Sequence, residues 1–131
     1  MMKKIFTLLA IAIGLASCNS GPSFPAGNVT TDQFSSLMAE LDNEIILDVR
    51  TSDETQSGII PGARTLDFFS DNFKTELEKL DKEAPIMVYC AAGGRSAQTV
   101  TQMNEMGFTN VYNLLDGFGG WKAGNNPVEK K

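Results

Sequence analysis

Pro85-Ile86-Met87-Val88-Tyr89-Cys90-Ala91-Ala92-Gly93-Gly94-Arg95-Ser96 is the segment on which the fold turns. Its first five residues carry no charge, the pattern of a strand buried on both faces. Cys90 ends that strand and four small residues follow. From Arg95 the sequence reads as a helix that runs to about Met106 and stops at Gly107. A buried strand that passes through a tight turn straight into a helix is the first half of a β-α-β unit.

The same alternation extends in both directions. Upstream, Thr30 or Thr31 caps a helix that reaches about Leu41, with Phe34, Leu37, Met38 and Leu41 on one face. Glu44 to Val49 forms a second apolar strand, Gly58-Ile59-Ile60-Pro61-Gly62-Ala63 a turn, and Arg64 to Leu66 a short strand. Asp71 to Leu80 reads as a helix with Phe73, Leu77 and Leu80 inward. Downstream, Thr109 to Asn113 is a last strand and Phe118 to Lys122 a short closing helix. Strands alternating with helices, without hairpin signals, predict an α/β fold: a parallel sheet with helices on both faces. There is no internal repeat, and 131 residues suit one domain with a core that needs no staples.

In such folds ligands bind at the carboxyl ends of strands. Two polar groups of residues fall there: Asp48-Val49-Arg50, and Cys90 with the loop Ala91, Ala92, Gly93, Gly94, Arg95 and Ser96. Small residues let the chain curl so that successive amides point inward as an anion nest, and the helix N-terminus adds partial positive charge. A thiolate at the centre of that nest has a lowered pKa and reacts near neutral pH. This matters because the chain has no histidine, which excludes a Ser-His-Asp triad, a Cys-His pair and any His-ligated metal. No metal site and no cofactor are expected. Asp48 and Arg50 are read as supporting residues, holding the adjacent loops through backbone groups and a local carboxylate such as Glu54. Trp121 and Phe118 are read as core or rim residues.

The N-terminus has a separate logic. Met1-Met2-Lys3-Lys4 is a short basic region, and Ile5 to Leu15 an apolar run too short for a membrane span of about 20 residues. Leu15-Ala16-Ser17-Cys18 resembles the lipobox of bacterial lipoproteins. The resemblance implies a signal peptide over 1–17, lipid on Cys18, and a place in the cell envelope, anchored to a bacterial membrane. Residues 18–28, rich in Gly, Pro and Ser, are then a flexible tether, with the folded domain at 29–131. Lipidation would leave Cys90 the one thiol able to react. Loss of Lys3 and Lys4 with the leader takes the formal charge from −5 to −7, which speaks against nucleic acid as a partner.

The chain from about 28 to 128 resembles the rhodanese family of single-domain sulfurtransferases. Asp48-Val49-Arg50 followed by Gly58-Ile59-Ile60-Pro61-Gly62-Ala63 is similar to the family's Asp-Val-Arg and Gly-His-Ile-Pro-Gly-Ala signatures. Cys90 to Ser96 resembles its active-site loop, and Gly107-Phe108-Thr109-Asn110-Val111 through Gly117 and Trp121 its C-terminal pattern. The resemblance implies about five parallel strands and a Cys90 that takes sulfane sulfur from a small donor such as thiosulfate, a polysulfide or a persulfide. The sulfur would then pass to a thiol or other thiophilic acceptor. Arg95 would close the loop, and the Ala91 to Arg95 amides would cradle the persulfide. Ile59 stands where the family usually has histidine, and Ala91 where it often has a basic residue; the second departure weakens the expected recognition of thiosulfate. Cysteine phosphatases use a comparable loop with one more residue than the four between Cys90 and Arg95, and a thioredoxin-like oxidoreductase needs a second nearby cysteine. The remaining alternative is a rhodanese-like module that binds or carries sulfur without turnover.

Overall fold

The computed structural model describes residues 22–131, so the leader and Cys18 lie outside the described residues. Ten elements follow one another: β1 (Gly27–Val29), α1 (Thr31–Glu40), β2 (Ile45–Asp48), α2 (Ser52–Thr55), β3 (Arg64–Thr65), α3 (Phe73–Glu78), β4 (Ile86–Tyr89), α4 (Gly94–Glu105), β5 (Val111–Leu114) and α5 (Gly117–Ala123). The five strands form one sheet in the order β1-β5-β4-β2-β3, parallel throughout. The expected α/β architecture is present.

Period-two alternation splits each apolar strand between two cores. Ile45 and Leu47 of β2, Ile86 and Val88 of β4 and Val111 of β5 face α3 and α4, whose Phe73, Leu77, Val100 and Met103 complete that layer. Ile46, Met87, Tyr89, Tyr112 and Leu114 face the other way, onto Phe34 and Leu37 of α1 and Phe118 and Trp121 of α5. Trp121 and Phe118 are therefore core residues; the Trp121 indole donates to the Pro127 carbonyl at 2.7 Å. The helices are anchored locally as well. Thr30 closes α1 in a reciprocal capping box with Gln33.

Two differences from the sequence reading concern the edges. The structured domain begins before residue 29, inside the stretch expected as tether. Gly27–Val29 pairs with β5, the Phe24 side chain packs on the core, and Tyr112 Oη donates to the Phe24 carbonyl at 3.1 Å. Gly27-Asn28-Val29 has no apolar alternation; what recruits it is the open edge of β5, together with a 3.0 Å bond from Asn113 Nδ2 to Asn28 Oδ1. The second difference is α2, a single turn held by a capping box between Thr51 and Glu54 and too short to show any periodicity.

The topology places the site. From β2 the chain moves outward to β3, whereas from β4 it moves to β5 on the opposite side. The carboxyl ends of β2 and β4 therefore flank a topological switch point. Asp48 and Tyr89, the last residues of those strands, are register partners. The two polar groups of residues leave the sheet side by side.

Candidate active site

Cys90 leaves β4 on the α4 side of the sheet and is almost fully buried. The loop after it turns through Gly93, whose φ of +100° is open to glycine at little cost. A Cβ at Gly93 would strike the Leu115 carbonyl, and one at Gly117 would strike the Ala91 backbone. The loop thus lies directly against the β5–α5 turn. Phe118 N donates to the Cys90 carbonyl at 2.8 Å and Gly119 N to the Ala91 carbonyl at 3.1 Å. This packing fixes the turn that brings the Gly93 amide to 3.1 Å from Cys90 Sγ and the Ser96 hydroxyl to 3.3 Å.

Burial by itself pushes the Cys90 thiol up. The Ser96 hydroxyl and the amides of Ser96, Ala92 and Gly93 favour the thiolate more strongly, and the net shift is below the ordinary thiol value. Of the residues expected to form the nest, Ala92, Gly93 and Ser96 act on the sulfur through their amides. Ala91 and Gly94 shape the turn: Ala91 receives α5, and Gly94 opens α4.

Asp48 and Arg50 are both buried and form a pair across 2.7 Å. Asp48 also accepts the Arg50 amide, closing the turn after β2. Arg50 donates onward to the Gly58 carbonyl at 2.7 Å and the Glu54 carbonyl at 3.3 Å, and its guanidinium lies 4.0 Å from the Phe118 ring centroid. Burial lowers the Arg50 pKa, but the hydrogen bond and charge of Asp48 raise it further, so the group stays charged. Tyr89 is pushed up by burial and by the Asp48 charge, and its hydroxyl accepts the Ile60 amide at 3.0 Å. Ile59 is buried and its backbone bridges to Glu129. These contacts tie the loops after β2 into one block beside the Cys90 loop.

The expected carboxylate partner of Arg50 is a correction. The Glu54 carboxylate does not pair with Arg50; it pairs with Arg95 in a two-pronged bridge, Nη1–Oε1 at 2.7 Å and Nη2–Oε2 at 2.8 Å. Asp48, two residues from Arg50, is closer and already desolvated. Glu54, at the third position of α2, faces the first turn of α4. Arg95 therefore links α4 to α2. Its hydrogen bond to Glu54 holds the carboxyl at about 2, against an ordinary 4.5. The same Glu54 oxygen accepts the Thr51 amide and hydroxyl. Thr51-Ser52-Asp53-Glu54 carries the capping-box signature that could have placed this carboxylate. Phe69, whose ring lies 5.9 Å from the Arg95 guanidinium, had no such signal.

Comparison with known proteins gives a consistent picture. A model of the rhodanese-like domain matches residues 30–124, from the cap of α1 to the residue after α5. The chain is 38% identical over 79 residues to the thiosulfate sulfurtransferase GlpE of Coxiella burnetii, covering 60% of this chain and 72% of that protein. It is 25% identical over 100 residues to a sulfurtransferase of Allochromatium vinosum, covering 76% and 92%. Among solved structures, a rhodanese-like domain protein from Staphylococcus aureus superposes with a TM-score of 0.70 at 30% identity, over 80% of this chain and 98% of that one. A match that spans α1 to α5, and a solved relative of the same fold at this identity, agree on one assignment: the chain belongs to the rhodanese-like domain family.

Proposed function

We propose that the protein is a sulfurtransferase that carries sulfane sulfur on Cys90. The observation that supports this most strongly is the set of donors aimed at Cys90 Sγ, with the Gly93 amide at 3.1 Å and the Ser96 hydroxyl at 3.3 Å. Such donors stabilise a thiolate before the reaction and a persulfide anion after it. The thiolate attacks the sulfane sulfur of the donor, an S–S bond forms at Cys90, and the donor's own bond to that sulfur breaks with its electron pair leaving on the donor. A thiol acceptor, entering as its thiolate, then takes the outer sulfur and returns Cys90 as thiolate. Neither step needs a proton-relaying histidine.

Two features support sulfur over phosphate as the transferred group. Four residues separate Cys90 from Arg95, and the guanidinium that a phosphate would need is bound at both terminal nitrogens by Glu54. Purified protein should transfer sulfur from a sulfane donor to cyanide, and Cys90→Ser, nearly isosteric, should fall to background with its fold intact. Equal turnover in the variant would overturn the proposal.

The same proposal includes the location. Lipid on Cys18 would hold the domain in the cell envelope, at a bacterial membrane, and the leader and lipobox residues are what support it.

A further inference from the structure

Among the described residues three large hydrophobic side chains are exposed: Phe69, Leu115 and Val128. A single exposed apolar residue needs no explanation. Two of these three flank the Cys90 loop. Leu115 presents its carbonyl to Gly93 and is 49% exposed. Phe69 lies over the Arg95 guanidinium and is 67% exposed. The position of Phe69 is fixed. Its amide donates to Asp67 Oδ1 at 2.9 Å, and its ring meets Phe68 edge-on at 5.2 Å, which in turn packs on the core residue Phe73.

Charge at the loop points the same way. Between Cys90 and Ser96 the only cation is Arg95. Glu54 occupies both of its terminal nitrogens, Phe69 lies over the group, and Asp67 adds a further negative charge nearby. A small dianion such as thiosulfate would find no uncommitted cation within the loop and two carboxylates beside it.

We infer that the sulfur donor of this site is a hydropersulfide of an organic thiol whose apolar body rests on Phe69 and Leu115, in preference to thiosulfate. The inference rests on the sulfurtransferase reading and names its donor class. In the transfer, the Cys90 thiolate attacks the terminal sulfur of R–S–SH. The Cys90–sulfur bond forms, the R–S bond to that sulfur breaks, and R–S⁻ departs with the bonding pair, leaving Cys90 as S–SH. The charge is one negative on each side, and no outside oxidant or reductant is required. The departing thiolate carries the apolar body that the rim has held.

The test measures Cys90 persulfide formation by intact mass with two probes, benzyl hydropersulfide generated in situ and thiosulfate. Wild type is compared with Phe69→Ser/Leu115→Ser, two exposed positions where serine leaves the core untouched; an unchanged unfolding midpoint checks the fold. The readout is the ratio of the second-order loading rates, benzyl hydropersulfide over thiosulfate. Losing contact with two large side chains should lower that ratio about tenfold. Loading by both probes with a ratio unchanged within about twofold overturns this inference alone. No loading of wild type by either probe overturns the sulfurtransferase reading, and this inference with it.

Discussion

Glu54 shows how much one carboxylate can organise. It completes the cap of α2 through Thr51 and anchors Arg95 at the start of α4. The Arg95 hydrogen bond holds its pKa at about 2, below the 4.5 it has when unfolded. A depressed carboxylate stabilises the fold above its unfolded pKa, and that stability drains away as pH falls through the folded value. The window is therefore from about pH 4.5 down to about 2. Glu54→Gln should flatten the acid limb of an unfolding curve in that window. Because the pair is partly exposed, with side chains at 22% and 32%, its loss at neutral pH should cost on the order of 1 kcal/mol. An acid limb identical to wild type would show that the bridge contributes nothing in solution. The Asp48–Arg50 pair belongs to another class: both partners are buried, and removing either would leave an uncompensated charge.

At the scale of elements, the Cys90 loop depends on a contact between two turns. Gly93 has a left-handed backbone and sits against the Leu115 carbonyl. Gly93→Ala should therefore cost at least the left-handed penalty of about 1–2 kcal/mol, read from a denaturant midpoint. It should also displace the amide that faces Cys90 Sγ, so the pH midpoint for alkylation of Cys90 should rise toward that of an ordinary thiol. Thr30→Ala on α1 is the control, costing about 1 kcal/mol without moving the alkylation midpoint. If the Gly93 variant alkylates with the wild-type midpoint, the loop amides do not set the reactivity.

The elements also differ in how far they could be read ahead. β2 and β4 announce themselves as uninterrupted apolar runs, and α1 by Thr30 with Phe34 and Leu37 one turn apart. β1 and α2 do not, since Gly27-Asn28-Val29 becomes a strand only because β5 offers an edge from the far end of the chain. α2 is one turn whose anchor, Arg95, lies 41 residues away. The Cys90 loop was legible because small residues between a strand and a helix are a local pattern. The pairing of Glu54 with Arg95 and the place of Phe69 were not: the capping box marks where α2 starts but not which helix its carboxylate meets, and Phe69 depends on how α3 and α4 pack.

Over the whole molecule, the site exists because β2 and β4 are neighbours whose connections leave in opposite directions. That arrangement joins residues some forty positions apart and leaves the crevice at one end of the sheet. At the other end of the chain, Ser23 already donates to Glu40 Oε1 at 3.1 Å and Phe24 packs on the core, so the docked part begins five residues after Cys18. Five residues span at most about 17 Å, so under the anchor proposal a lipid on Cys18 would keep the domain close to the membrane. Wild type should fractionate with membranes and incorporate a labelled fatty acid, and Cys18→Ser should do neither; equal labelling would end the anchor proposal.

Sulfur carriage rests on one atom, Cys90 Sγ, and mass spectrometry of the intact protein can read it there. After incubation with a sulfane-sulfur donor and removal of excess reagent, wild type should gain the mass of one sulfur atom at Cys90. Cyanide or excess thiol should remove it, and Cys90→Ser should gain nothing. A wild-type protein that never gains sulfur at Cys90 under these conditions, with its fold verified, would contradict the account and leave a rhodanese-like module that does not carry sulfur.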